Sequence, residues 1–151
     1  MGLFDKFKKK DKGTVTSKQT NKQEKTLAED IPVSAEWAKD NLNKTGYEVD
    51  YNLESMKEVE RFFNEQSKEG GVLTGKSGSI LFSLGCLIGE TIIRICGGEW
   101  VTDDDDPMGE INIAVKLPND AVVWPVQRCM KRLKNGDEEN IYDYVYAITQ
   151  Q

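Results

Sequence analysis

The sharpest chemical signal in the chain is a spacing of glycines. Gly70-Gly-Val-Leu-Thr-Gly75-Lys76-Ser77 satisfies the pattern GxxxxGK[ST], in which backbone amides and a lysine cradle phosphate oxygens at the start of a helix. That chemistry needs a buried strand before the loop and an aspartate on a later strand to hold magnesium. Residues 62–69 read instead as the end of a polar helix, and no later strand offers a convincing aspartate. The loop has its helix but lacks its strand. Nucleotide hydrolysis is therefore not expected, and Lys76 is kept only as a candidate anion contact.

A second candidate follows at once. With 100° between successive residues, Ser79, Ser83, Glu90 and Arg94 fall on a helical strip about 60° wide. Glu90 and Arg94 have the i,i+4 spacing, glutamate first, that favours an ion pair. If the strip opened on a cleft, Arg94 would bind an anionic group and Glu90 would fix its geometry. On an exposed face the pair contributes only ~0.3–0.5 kcal/mol and does no chemistry. Gly85 and Gly89, about 40° apart on the same helix, remove side-chain bulk over one turn, either for a ligand or for close packing. Close packing is the expected use.

A third candidate is the acidic run Asp103-Asp-Asp-Asp106 with Glu110, which has the oxygen ligands that calcium and magnesium prefer. Pro107 and Met108 interrupt the alternation of an EF-hand, and its twelfth position is Ala114. No metal site is expected, and no cofactor. Histidine is absent from the whole chain. Serine–histidine triads, cysteine–histidine dyads and histidine-dependent zinc sites are thereby excluded. Cys86, Cys96 and Cys129 form no CxxC pair, and an odd number argues against a complete disulfide framework. Cys86 and Cys96 on one helix would stand about 15 Å apart, beyond disulfide reach. Reduced thiols in a reducing compartment follow.

The elements that must position these residues begin after a polar start. Residues 1–28 carry eight lysines against Asp5, Asp11 and Glu24, a balance of +5, which leaves −11 of the total −6 for residues 29–151. Residues 1–30 read as a flexible basic tail, too polar from Asp11 onward to offset the entropy of ordering. Residues 31–151 read as a single domain. Leu3, Phe4 and Phe7 stand among Lys6 and Lys8 to Lys10, a short hook for a membrane surface that would need a second signal to anchor stably. The start lacks the apolar run and cleavage site of a secretory signal, so the expected location is the cytoplasm or the inner membrane surface.

Within the domain, Ser34 is expected to cap a helix bearing Trp37, Ala38 and Leu42 that stops at Gly46. Asp50 or Asn52 then caps a second helix to about Gln66, with Leu53, Met56, Val59 and Phe63 as its stripe. The most apolar segment, residues 77–96, reads as a central core helix with Leu81, Leu84, Ile88, Ile92 and Ile95 on one face. Its length and its charges argue against a membrane span. A short strand from Trp100, an alternating strand over 111–117 and a partner over 121–124, joined by Pro118-Asn119-Asp120, form a small antiparallel sheet within about 100–124. Pro125 opens a helix bearing Val126, Met130 and Leu133, and Asp137 is expected to cap a last helix through Ile148. The fold class is α+β.

The runs Leu84-Gly-Cys-Leu-Ile-Gly-Glu90, Gly97-Gly-Glu-Trp100 and Val123-Trp-Pro125, with Arg128, Arg132 and Asn135-Gly136, resemble a bacterial domain family of unknown function. The resemblance covers about residues 52–149 and implies the domain and its boundary without implying an activity. The acidic body repels phosphate, and the tail lacks aromatics past Phe7 for base stacking, so nucleic acid is not an expected partner. Arg128, Lys131 and Arg132 share a face expected to be solvated or to meet an acidic partner. The function expected is a non-enzymatic module that binds another protein, with a toxin-neutralising, immunity-like role as the closest analogy. The alternatives are a small-ligand or anion-binding domain, or an enzyme, built on Lys76, Ser79, Ser83, Glu90 and Arg94, and peripheral membrane attachment.

Overall fold

Thr26 and Glu29 open the first helix reciprocally: the Glu29 N–H donates to Thr26 Oγ1 (3.2 Å) and the Thr26 N–H to Glu29 Oε1 (3.1 Å). The computed structural model describes residues 25–150, so Leu3, Phe4 and Phe7 and most of the expected tail lie outside the described residues. Helix α1 spans Leu27–Lys44, beginning eight residues before the helix expected from a Ser34 cap. Ser34 is buried in its middle, and the helix runs through Pro32. Two satisfied caps outweigh one proline: besides the Thr26 box, Asp104 Oδ1 accepts the Leu27 N–H at 2.8 Å. Residues 27–30, expected in the tail, are thus helical.

Helix α2 spans Ser55–Gln66, with Asn52 Oδ1 accepting the Ser55 N–H. Helix α3, Gly78–Cys96, ends at Gly97 (φ 87°) and Gly98 (φ 127°), backbone angles that glycine alone adopts freely. It is long and apolar enough to cross a membrane, yet 67% of its most apolar window is buried inside the fold. Leu81, Leu84, Ile88 and Ile92 are buried, with Ile95 at the margin. Helices α1, α2 and α3 are followed by three short strands, β1 (Glu99–Val101), β2 (Ala114–Lys116) and β3 (Val122–Val123), in the antiparallel order β1-β2-β3. The expected hairpin is present between β2 and β3, and its turn places Asp120 at φ 73°. The strand expected over 111–117 is shorter, because the N–H groups of Ile111 and Asn112 turn back to Met108 O.

Helix α4, Pro125–Asn135, has its proline at the first turn and Gly136 at its end. A 3₁₀ turn over Gly136–Glu139 leads to helix α5, Ile141–Thr149. The cap of α5 is Asn140, whose side chain accepts the Asp143 N–H at 2.9 Å, and not the expected Asp137. The first N–H of α5, at Ile141, donates to the Glu60 carboxylate of α2, so a residue 81 positions away fixes where the helix starts. The α+β architecture is organised around α3. Helices α1 and α4 and the sheet pack on it, while α2 packs against α5. Phe62, Phe63, Leu84, Leu87 and Ile88 form the main core with Met56, Val115, Cys129 and Val145, and Ile31, Phe82, Cys86, Ile113 and Val126 form a second cluster beneath α1.

Candidate functional site

The strip expected on α3 is not continuous. Ser83 is fully buried, Ser79 and Glu90 are half-buried, and Arg94 is exposed. Over Glu90 lies Trp100 of β1, whose indole N–H donates to Glu90 Oε2 at 2.9 Å. The Trp100 ring rests where a side chain at Gly89 would be, and the main chain of Val126 approaches Gly85 so closely that a Cβ there would stand 2.8 Å from Val126 Cα. Both glycines thus serve packing, as expected. Arg94 makes a long 3.8 Å pair with Glu90 and stacks on the Tyr51 ring, 3.6 Å from its centroid. Burial, and then the hydrogen bond that Tyr51 donates to Glu36, hold the Tyr51 phenol well above its ordinary value. The phenol therefore stays neutral and acts as a donor and a stacking platform.

The phosphate-loop spacing has no phosphate-loop geometry. The segment after α2 folds back on that helix: the Leu73 N–H donates to Gln66 O at 2.9 Å, and Leu73 itself enters the core. A Cβ at Gly71 would collide with the Gln66 main chain, and Lys76 points to solvent. The glycines here serve a tight return into α3. The acidic run is likewise engaged in structure. Asp104 caps α1, and Asp103 accepts the Asp105 N–H. Asp106 accepts the Asn112 side chain and the Met108 N–H, which together keep its carboxyl below the usual range. Among the described residues no group of three or more acid or thiol side chains converges as metal ligands would.

Sequence reasoning missed the most buried charged group. Arg132, expected on a solvated face, is 3% exposed and holds Glu60 through Nε (3.0 Å to both oxygens) and Nη2 (2.9 Å to Oε1). Asn64 Oδ1 accepts from the same Nη2, and the guanidinium lies 5.4 Å from the Phe63 ring centroid. The helical wheel of α4 could have signalled this, since Arg132 falls about 20° from the buried Pro125 and about 60° from the buried Cys129. Arg128 is also engaged: it pairs with Glu139 and stacks 4.4 Å from the Tyr144 centroid. Burial pushes the Tyr144 phenol up to about 12.

Surface concavities lie away from the expected strip. One of about 470 Å³ borders the start of α1 and the acidic run, and one of about 740 Å³ lies between the α1–α2 connection and α2. Neither is lined by Lys76, Ser79, Ser83, Glu90 or Arg94. A third, of about 230 Å³, sits between β3 and the start of α4, against Trp124, Arg128, Lys131 and Tyr144. Beside it the fold leaves large apolar side chains in water: Trp124 is 45% exposed, and Val122 is exposed as well. The outer face of α4 carries Gln127, Met130, Lys131 and Lys134 at i, i+3, i+4 and i+7. Compared with protein-family models, curated proteins and solved structures, the chain matches none.

Proposed function

We propose that this domain is a protein-interaction module whose contact surface is the β3 edge with the outer face of α4. The observation that carries the reading is Trp124, a large aromatic held in solvent beside a concavity, next to exposed Val122 and to Lys131, which forms no ion pair among the described residues. Tryptophan beside a pocket is the residue type that most often anchors protein interfaces. The competing small-ligand reading draws little support, because its Glu90 is capped by Trp100 and its Arg94 lies on Tyr51. An immunity-like role is one form of the interaction reading that size and acidic charge fit by analogy.

The test is comparative recovery from the native host. A tagged full chain is purified beside a Val122→Lys/Trp124→Ser variant with an unchanged melting temperature. A stoichiometric protein held by the first and lost by the second supports the reading. Equal recovery by both moves the contact elsewhere, and recovery of no partner by either refutes the module. A second reading, peripheral membrane contact, rests on Leu3, Phe4 and Phe7 among lysines. Equal sedimentation with anionic liposomes after deletion of residues 1–10 would refute it.

A further inference from the structure

We infer that the partner docks as an extended segment carrying carboxylates, added as a strand along β3; this deepens the module reading and rests on it. Three observations point to that chemistry. The first is the free edge. In the β2–β3 ladder Val115 faces Val123 and Lys116 faces Val122, and the Leu117 N–H donates to Ala121 O at 2.8 Å. Alternation in an antiparallel pair then turns the main chain of Ala121 and Val123 toward β2 and the N–H and C=O of Val122 outward. A fourth strand beyond β3 is absent among the described residues, so this donor and acceptor are open to an added strand.

The second observation is charge. Residues 29–151 sum to −11, yet α4 carries Arg128, Lys131, Arg132 and Lys134 and no acid. Arg132 is buried against Glu60, and Arg128 is neutralised by Glu139. Lys131 and Lys134 are exposed and, among the described residues, form no ion pair. Lys131 lines the concavity, and Lys134 continues the same face of α4 three residues on, a local cationic rim on an acidic body. The third is Trp124, which follows β3 directly and borders the same concavity, where an apolar side chain of the added strand would seat. The chain's own basic tail carries the same sign as this rim and is a poor occupant. A second copy related by a twofold axis would set like cations against each other.

The open edge offers one residue's pair of hydrogen bonds, so side chains must supply most of the selectivity. Two rim ion pairs of ordinary surface strength correspond to roughly twofold to thirtyfold in affinity. The experiment titrates the ¹⁵N-labelled full chain with two capped hexapeptides, one alternating valine and aspartate, the other valine and lysine, to millimolar concentration. The aspartate peptide is expected to shift the Val122 amide and the Trp124 indole, with roughly tenfold preference over the lysine peptide. A Lys131→Glu/Lys134→Glu variant with an otherwise unchanged spectrum should reverse the preference. Three results would overturn the proposal: no shift at Val122 and Trp124, equal response to both peptides, or a concentration-dependent dimer centred on Val122. A host partner lost on the Val122→Lys/Trp124→Ser change, with both peptides inert, would leave the module reading standing and remove the acidic strand.

Discussion

The Glu60–Arg132 pair should behave as one unit, and removing either half should cost far more than removing both. The side chains are 9% and 4% exposed, so each charge has left water almost completely. Replacing Arg132 by Met leaves a buried carboxylate whose only remaining donor among those described is the Ile141 N–H. Loss of one partner from a buried pair costs about 3–5 kcal/mol, a large part of the 5–15 kcal/mol typical of a domain. Glu60→Gln keeps an acceptor for Ile141 but leaves the guanidinium only Asn64 and a 3.5 Å pair with the exposed Asp137, so a loss at the lower end of that range follows. In the double variant Arg132→Met/Glu60→Gln neither charge remains, and the introduced amide oxygen can still receive the Ile141 N–H. The double change should therefore cost at least ~2 kcal/mol less than the sum of the singles. Urea denaturation followed by tryptophan fluorescence and circular dichroism measures all three. Additivity within about 0.5 kcal/mol, or single losses below about 1 kcal/mol, would refute the buried-pair reasoning.

The two glycines of α3 should differ in their tolerance of alanine. At Gly85 the new Cβ meets the Val126 main chain, whereas at Gly89 it meets the end of the Trp100 ring, which can swing aside. Gly85→Ala should lower stability by about 1–3 kcal/mol; Gly89→Ala should cost less, offset by better helix propensity, but should perturb the Trp100 near-ultraviolet signal. Arg94→Ala, on a side chain 54% exposed, should change the melting temperature little, equivalent to about 1 kcal/mol or less, because stacking and a 3.8 Å pair are all it loses. Unfolding of the Arg94→Ala chain would show that the Tyr51 contact is structural in a stronger sense. Alkaline stability should fall in two stages. Burial raises Cys129 above its ordinary 9.0, and burial also raises Tyr51 and Tyr144 above 10.0. The unfolded chain therefore releases these protons first, and stability full below pH 9 declines through 9 and more steeply above 10. Cys129→Ala should delay the first stage in a pH series of denaturation midpoints.

Local patterns were legible where the cause was local. The apolar run of α3, the proline opening α4 and the turn residues of the β2–β3 hairpin all sit where spacing and turn chemistry put them. What failed were helix boundaries decided from a distance. The start of α1 depends partly on Asp104, 77 residues later, and that of α5 on Glu60, 81 residues earlier. Neither partner is visible to a cap rule that reads neighbours. The same limit applied to chemistry. Arg132 on a basic face reads as solvated until α2 is placed against α5, which brings Glu60 and Asn64 to it.

The GxxxxGK[ST] spacing shows why motif and context must agree. A phosphate loop binds by aiming backbone N–H groups at an anion, so it needs a strand to deliver the chain and a helix to continue it. Here the delivering element is α2, and the loop turns the N–H groups of Val72 and Leu73 back to Gln66. The same test applied across the surface separates groups already engaged from groups still open. Glu90 has Trp100, Arg94 has Tyr51, Arg128 has Glu139, and Asp104 has the end of α1. Most of the strip that looked reactive in sequence therefore works as scaffold. The Val122 main chain, Trp124 and Lys131 keep bonding capacity that the described fold does not use and border one concavity, with Lys134 on the same face of α4. Adjacent open capacity of three kinds, backbone, aromatic and cationic, is what an extended acidic partner would satisfy at once. That coincidence gives the β3 edge a stronger claim to function than any single motif in the chain.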